Sequence, residues 1–239
     1  MNISDIISDS LTYPFNNIKA FVLYLVLGII AAFIGGTSIV SLATAASTKG
    51  MSTYTFTGIG VVGFVVFLLV LFLIEGYGLD IVKLGIERKS EGPEIDMGRQ
   101  ISNAIKLIAV DIAYYIIPLI IIFILGLFLR NWILGIISVI LVIIFALANF
   151  MARCRLAKTD TLGEALSIGE AIGDISRVGF INLLITVILV MVLTFIIMLI
   201  VGMINSVNQT IGNILFGIAT VYIVFFYHRA IGLLYSNIV

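Results

Sequence analysis

The chain has 239 residues, 62% of them hydrophobic and only 11% charged, where a soluble domain carries about 25% charged residues. Thirteen Lys and Arg balance thirteen Asp and Glu, so net charge offers nothing to a nucleic acid, and a mean hydropathy of +1.26 leaves too little polar surface for a water-soluble globule. A soluble enzyme, a disordered tail and a disulfide scaffold are excluded, the last because Cys154 is the single cysteine. A multi-pass membrane protein remains.

Ile3, Ile6, Ile7, Leu11 and Phe15 recur at the spacing of one helical face, which predicts an amphipathic surface helix. A spanning helix needs about 20 mostly apolar residues, and the first such run covers 18–40. LeuAlaThrAlaAlaSer at 42–47 has the small residues of a leader cleavage site. However, Asp5 and Asp9 without any preceding base, and an overlong apolar run, argue against a signal peptide. Gly28, Ala32 and Gly36 stand four apart and form a small-residue face for close packing against another span or another subunit.

The second span covers 57–74 and closes on Glu75. GlyIleGlyValValGly at 58–63 has the outline of a dinucleotide fingerprint but lies inside an apolar run with no strand before it. No cofactor is read from it. Met97, Ile101, Ala104, Ile105 and Ile108 form a second amphipathic face leading into the third span, 107–128. Asp111 lies about one turn inside that span, and Pro118 is expected to kink it.

The fourth span covers 132–151, followed by Cys154, whose expected role is packing. A third amphipathic helix is predicted over 161–175, with Thr161 and Glu164 as its capping box. The fifth and sixth spans cover 179–203 and 211–231. AsnGlnThr at 208–210 has the form of a glycosylation acceptor, but its loop is too short to serve as one. His228, the single histidine, sits between Tyr227 and Arg229 and reads as an interfacial anchor.

With six spans, eleven basic residues fall on the side of the termini: Lys19, Lys83, Arg88, Lys89, Arg99, Lys106, Arg153, Arg155, Lys158, Arg177 and Arg229. Only Lys49 and Arg130 fall on the other, so both termini are expected in the cytoplasm. Trp132, Tyr54 and Phe56 suit an outer aromatic belt. The chain also reads as three units of amphipathic helix, span and return span, at 2–89, 90–158 and 159–239. Near the second surface helix Glu87, Glu91, Glu94 and Asp96 offset Arg88, Lys89 and Arg99. A structural collar is therefore favoured over a polybasic lipid trap.

Asp111 and Glu75 are the acids deepest in apolar runs and hence the candidates for a functional role. Arg153, Arg155 and Arg229 are expected to pair with them between helices. No nucleophilic elbow, metalloprotease or phosphate-loop motif is present, so neither enzyme nor metal centre is expected.

One stretch is more specific. GluGlyTyrGly at 75–78 precedes Ile81, Gly85, GluGlyProGlu at 91–94 and Gly98; AlaIleLysLeuIle at 104–108, Tyr114 and IleIleProLeuIle at 116–120 follow. With AsnPheMetAlaArg at 149–153 and GlyGluAla at 163–165, this pattern over about 73–179 resembles an uncharacterised archaeal and bacterial family of multi-pass proteins, domain of unknown function family 4013. Asp80 departs from a position that is usually basic in that family, and its aromatic patch is reduced here to 95–97. The resemblance implies a membrane bundle and carries no activity. The expected function is a transporter- or channel-like module of the cytoplasmic membrane. The alternative is a scaffold whose surface helices dock a partner or lipid headgroups. The expected partners are the lipid bilayer and either a second copy of the chain or an unidentified membrane or cytoplasmic protein.

Overall fold

The computed structural model describes residues 1–47, 51–129 and 132–239, without the side chains of residues 51–54 and 56. The described residues are helical throughout, with no strand. In chain order the helices are α1 (Ile3–Asn16), α2 (Ile18–Ser47), α3 (Met51–Ile86), α4 (Met97–Phe128), α5 (Trp132–Thr159), α6 (Leu162–Ala165), α7 (Ile168–Val178), α8 (Phe180–Val207) and α9 (Gln209–Tyr235). Six of them are long and apolar enough to cross a membrane: α2, α4, α5, α8, α9 and the stretch Thr57–Ile86 of α3. The protein is thus an all-α polytopic bundle with short helices beside the spans.

The spanning helices are longer than the apolar runs that announce them. At 1.5 Å per residue, the 36 residues of α3 cover about 54 Å, well beyond a hydrocarbon layer of about 30 Å. In α3, α4 and α5 most of the excess lies at the end that holds both termini, whereas α2 and α8 run on at the other end, to Ser47 and Val207. Every charged residue among those described falls in the half that holds the termini, here termed the charged end. Lys49 and Arg130, the basic residues expected on the opposite side, lie outside the described residues, as do the side chains of Tyr54 and Phe56. Trp132, the first residue of α5, is 72% exposed.

Local chemistry explains the helix ends. Asn2, Asp96 and Asn208 each accept a hydrogen bond from the backbone N–H three residues on, starting α1, α4 and α9. Asn208 of the AsnGlnThr triplet is thereby a helix cap. Beyond Ile86, Lys89 N–H donates to Leu84 O and Arg88 N–H to Gly85 O, the Schellman arrangement. Arg88 occupies the left-handed position there at φ 56°, and its guanidinium is tied to Ser236 and Asn237.

The helix expected over 161–175 is two helices, and its capping box does not form. Thr161 makes no side-chain cap bond, its hydroxyl lying 3.0 Å from the Thr159 hydroxyl instead, and the Glu164 carboxylate turns to Arg155. Arg155 Nε and the Tyr114 hydroxyl also donate to the carbonyls of Glu164 and Ala165. These tertiary donors claim the acceptors that a continuing helix would use. The second amphipathic segment is likewise no separate element, since residues 97–108 are the first turns of α4. The three sequence units therefore differ in build: α1 and α7 stand apart from their spans, and the middle one does not. Pro118 lies buried inside α4, which runs unbroken through it.

The charged end is the packed end. From Val224 to Tyr235 every residue of α9 but Tyr227 is buried, and α9 as a whole packs against α1, α2, α3, α5 and α8. The apolar faces of α1 (Ile6, Tyr13) and α7 (Ala171, Ile175, Val178) turn inward. The opposite half presents Val62, Phe123, Leu127 and Phe195 outward, the composition of a lipid-facing wall.

The small-residue face of α2 meets another span of this chain. A Cβ placed on Gly217 of α9 would fall 2.6 Å from the Gly28 carbonyl oxygen. Ala32 is 9% exposed, and Gly36 faces Asn213 of α9. A second glycine contact joins Gly85 of α3 to Gly232 of α9.

Candidate functional site

Apart from Ser38 of α2 and Thr186 of α8, the polar residues buried within the spans lie on α3, α4, α5 and α9. GluGlyTyrGly at 75–78 builds one wall of this site, each residue for a separate reason. At Gly76 a Cβ would collide with the Gln100 backbone carbonyl, so glycine lets α3 and α4 touch. The Tyr77 ring lies tilted against Tyr24, 4.5 Å away, and Phe225, 5.3 Å away. At Gly78 a Cβ would stand 2.6 Å from the His228 imidazole, so glycine makes room for the ring. Glu75 is left facing a pocket of about 300 Å³, which it shares with Asp111 and Arg153 among Leu68, Phe72 and Leu107.

Arg153 holds Asp111 in a fork, with Nη2 at 2.7 Å from Oδ2 and Nε at 3.2 Å from Oδ1. Asn149, one turn earlier on α5, donates to the same carboxylate at 2.9 Å and accepts from Arg153 at 3.1 Å. Two-point geometry of this kind is the strong form of a carboxylate–guanidinium pair. The side chains of Arg153 and Asp111 are 14% and 28% exposed, so the pair lines the pocket rather than being sealed off.

His228 is no surface anchor. Its side chain is 1% exposed and lies between α3 and α9. Nδ1 is 2.8 Å from the Val224 carbonyl oxygen, and Nε2 is 3.6 Å from Glu75 Oε2. The sequence places this ring near the end of its span; the burial arises because α9 is enclosed on every side there.

The other two arginines do not join Asp111 or Glu75. Arg155 binds Glu164 and the buried Asp174, which also accepts from Arg177 and Tyr235. That cluster fastens α7 to α5 and α9. Arg229, 1% exposed, binds Asp9 at 2.7 Å and the Lys89 carbonyl at 2.6 Å, with its guanidinium over the Tyr13 ring. It fastens α1 to α9. Burial pushes the Tyr13 phenol well above its ordinary range, and the Arg229 charge pulls against that shift.

Several polar residues were not legible as site members. Asp80, read only as a departure from the family pattern, accepts from Arg99 at 3.1 Å and Asn103 at 3.0 Å. Gln100 is fully buried, accepts from the Tyr24 hydroxyl at 2.7 Å, and leaves its Nε2 unpartnered. Asn149 carries one signal in the sequence, its position four residues before Arg153 on a helix. Cys154 is buried and donates to the Ile231 carbonyl. A larger groove of about 470 Å³ between α5, α8 and α9 has no charged lining residue. Among the described residues no group of three or more His, Cys, Asp or Glu is arranged to hold a metal ion.

The chain matches, over residues 59–206, a family described as a protein of unknown function, DUF4013. It belongs to this family. The match includes Glu75, Asp111, Asn149 and Arg153, and the DUF4013 region thus runs from the second span through most of α8. No curated protein and no solved structure matches the chain.

Proposed function

We propose that this DUF4013 protein is a transporter- or channel-like module of the cytoplasmic membrane, not an enzyme, and that Glu75, Asp111 and Arg153 form its polar station. The observation that carries this reading is the pocket between α3, α4 and α5, where two acids and an arginine meet within helices otherwise made to face lipid. Ionisable groups inside spanning helices are rare and face a bundle interior or a water-filled cavity, and these three share a pocket at the charged end, which is the reason to assign them a role. The charged end faces the cytoplasm in this proposal, because basic residues concentrate there. The partners are the bilayer itself and, where the module assembles, a second copy of the chain.

The test is flux into liposomes holding the purified full chain, with Na⁺, K⁺, H⁺ and Cl⁻ as probes. At least one probe should enter faster than into protein-free liposomes, and Asp111→Asn should abolish that rate while the helical circular dichroism is retained. Protein-free rates for all four probes would overturn the reading. Orientation is checked with a thiol in place of Lys49, which should react with an impermeant reagent from outside. The buried Cys154 supplies no background.

A further inference from the structure

The contact between His228 and Glu75 has a consequence that follows from hydrogen-bond chemistry alone. A carbonyl oxygen only accepts, so His228 Nδ1, 2.8 Å from Val224 O, must carry its hydrogen and donate. Nε2 of the neutral ring then presents a lone pair. It is buried with no hydrogen-bond partner, and its charged-group neighbour is Glu75 Oε2 at 3.6 Å. An ionised carboxylate is also an acceptor only. Two acceptors face each other there, and the contact becomes favourable only when one of them carries a proton.

We propose that Glu75 and His228 together form a site for one exchangeable proton, so that the species bound at the polar station is H⁺. The inference rests on the transport reading above and deepens it. Access comes through Glu75, whose side chain is 43% exposed at the pocket while His228 is enclosed. The bound proton bonds to Oε2 or Nε2 and leaves to water in the pocket; no other bond changes. The charges facing the pair are those of Arg153 on α5 and Asp111 on α4, which neutralise each other in their fork. On α9 itself the Tyr227 ring lies edge-on, 4.8 Å from the imidazole, and Arg229 is engaged by Asp9 of α1. Helix α8 carries no charged residue, and Lys19 of α2 is exposed. Taking up the proton therefore changes the station from one net negative charge to none.

The chain has a single histidine, so ring-¹⁵N-histidine labelling of the full protein in lipid nanodiscs reports this site without assignment. Between about pH 5 and pH 8, the window in which histidine ordinarily titrates, Nδ1 should stay protonated. Nε2 should pass from a bare lone pair to a protonated or hydrogen-bonded nitrogen at one midpoint. The carboxyl ¹³C in dipolar contact with that nitrogen should shift at the same midpoint, a measurement needing no variant. Glu75→Gln, folded by circular dichroism, should lower the midpoint by at least about one pH unit, tenfold in proton affinity. An Nε2 signal unchanged over the range, or a midpoint that Glu75→Gln moves by less than tenfold, would overturn the proposal. Flux that needs Asp111, alongside a histidine signal indifferent to Glu75, removes the proton site and leaves the transport reading. A Glu75-dependent titration without flux of any probe does the reverse.

Discussion

Gly217 and Gly202 are both glycines inside spanning helices, and the same substitution should act oppositely at the two. At Gly217 of α9 an added Cβ would lie 2.6 Å from the Gly28 carbonyl oxygen and 2.6 Å from Ile29 Cα, both backbone atoms of α2. Neither can rotate away, so α2 and α9 must separate by most of an ångström, which costs about 1–3 kcal/mol as overpacking. At Gly202 of α8 the same methyl meets nothing within 4 Å. Alanine there gains about 0.5–1 kcal/mol of helix propensity, a gain that Gly217→Ala shares. The difference between the variants therefore isolates the packing cost, about 1–3 kcal/mol. It is measured by titrating SDS into mixed micelles and following helical circular dichroism, with Gly202→Ala at or above wild-type stability and Gly217→Ala below it. Equal stabilities, within about 0.5 kcal/mol, would refute the claim that α2 and α9 meet backbone to backbone. Gly28→Ala, whose Cβ would meet Val221 and the Gly217 carbonyl, should behave as Gly217→Ala does.

Arg153→Met should destabilise the protein by about 1–2 kcal/mol, less than the 3–5 of a sealed pair because Asp111 reaches the pocket and keeps Asn149. Adding Asp111→Leu should recover most of that loss in the same unfolding assay; additive losses would show that the two side chains do not interact. Asp174 is 1% exposed and accepts from Arg155, Arg177 and Tyr235. Asp174→Ala should cost about 3 kcal/mol and free α7, so that trypsin cuts after the exposed Arg177 several times faster. An unchanged cleavage rate would mean that α7 is held by its apolar face alone. Charge reversal at Arg99, which is bound to Asp80 and the Glu94 carbonyl, should likewise lower stability in the unfolding assay, and an unchanged midpoint would show that these bonds do not hold α4 to α3.

The six spans were legible because exclusion from hydrocarbon adds up residue by residue along a run. Their ends at the charged face were not. The run 57–74 continues as one helix to Ile86, although residues 75–86 include Glu75, Asp80 and Lys83 and have the composition of a connecting segment. The reason is enclosure: α9 and α4 cover that part of α3, supplying partners that the apolar pattern does not record. The break of the third amphipathic segment at Leu166 and Ser167 is of the same kind, since Arg155 and Tyr114 reach its carbonyls from other helices.

Within the candidate site, Asp111, Glu75 and Arg153 stood out as charges in apolar surroundings, and one expected pairing, Arg153 with Asp111, is present. The sequence by itself determined the membrane architecture, the one-sided charge and the small-residue faces, all properties of composition and period. Only the tertiary structure decided which acid meets which base: Arg229 with Asp9, Arg155 with Asp174, His228 with Glu75. Each residue turns a helix by about 100°, so a partner depends on how every helix is rotated about its axis. That rotation is set by contacts such as Gly28 against Gly217 and Gly76 against Gln100, which exist only once the helices are packed.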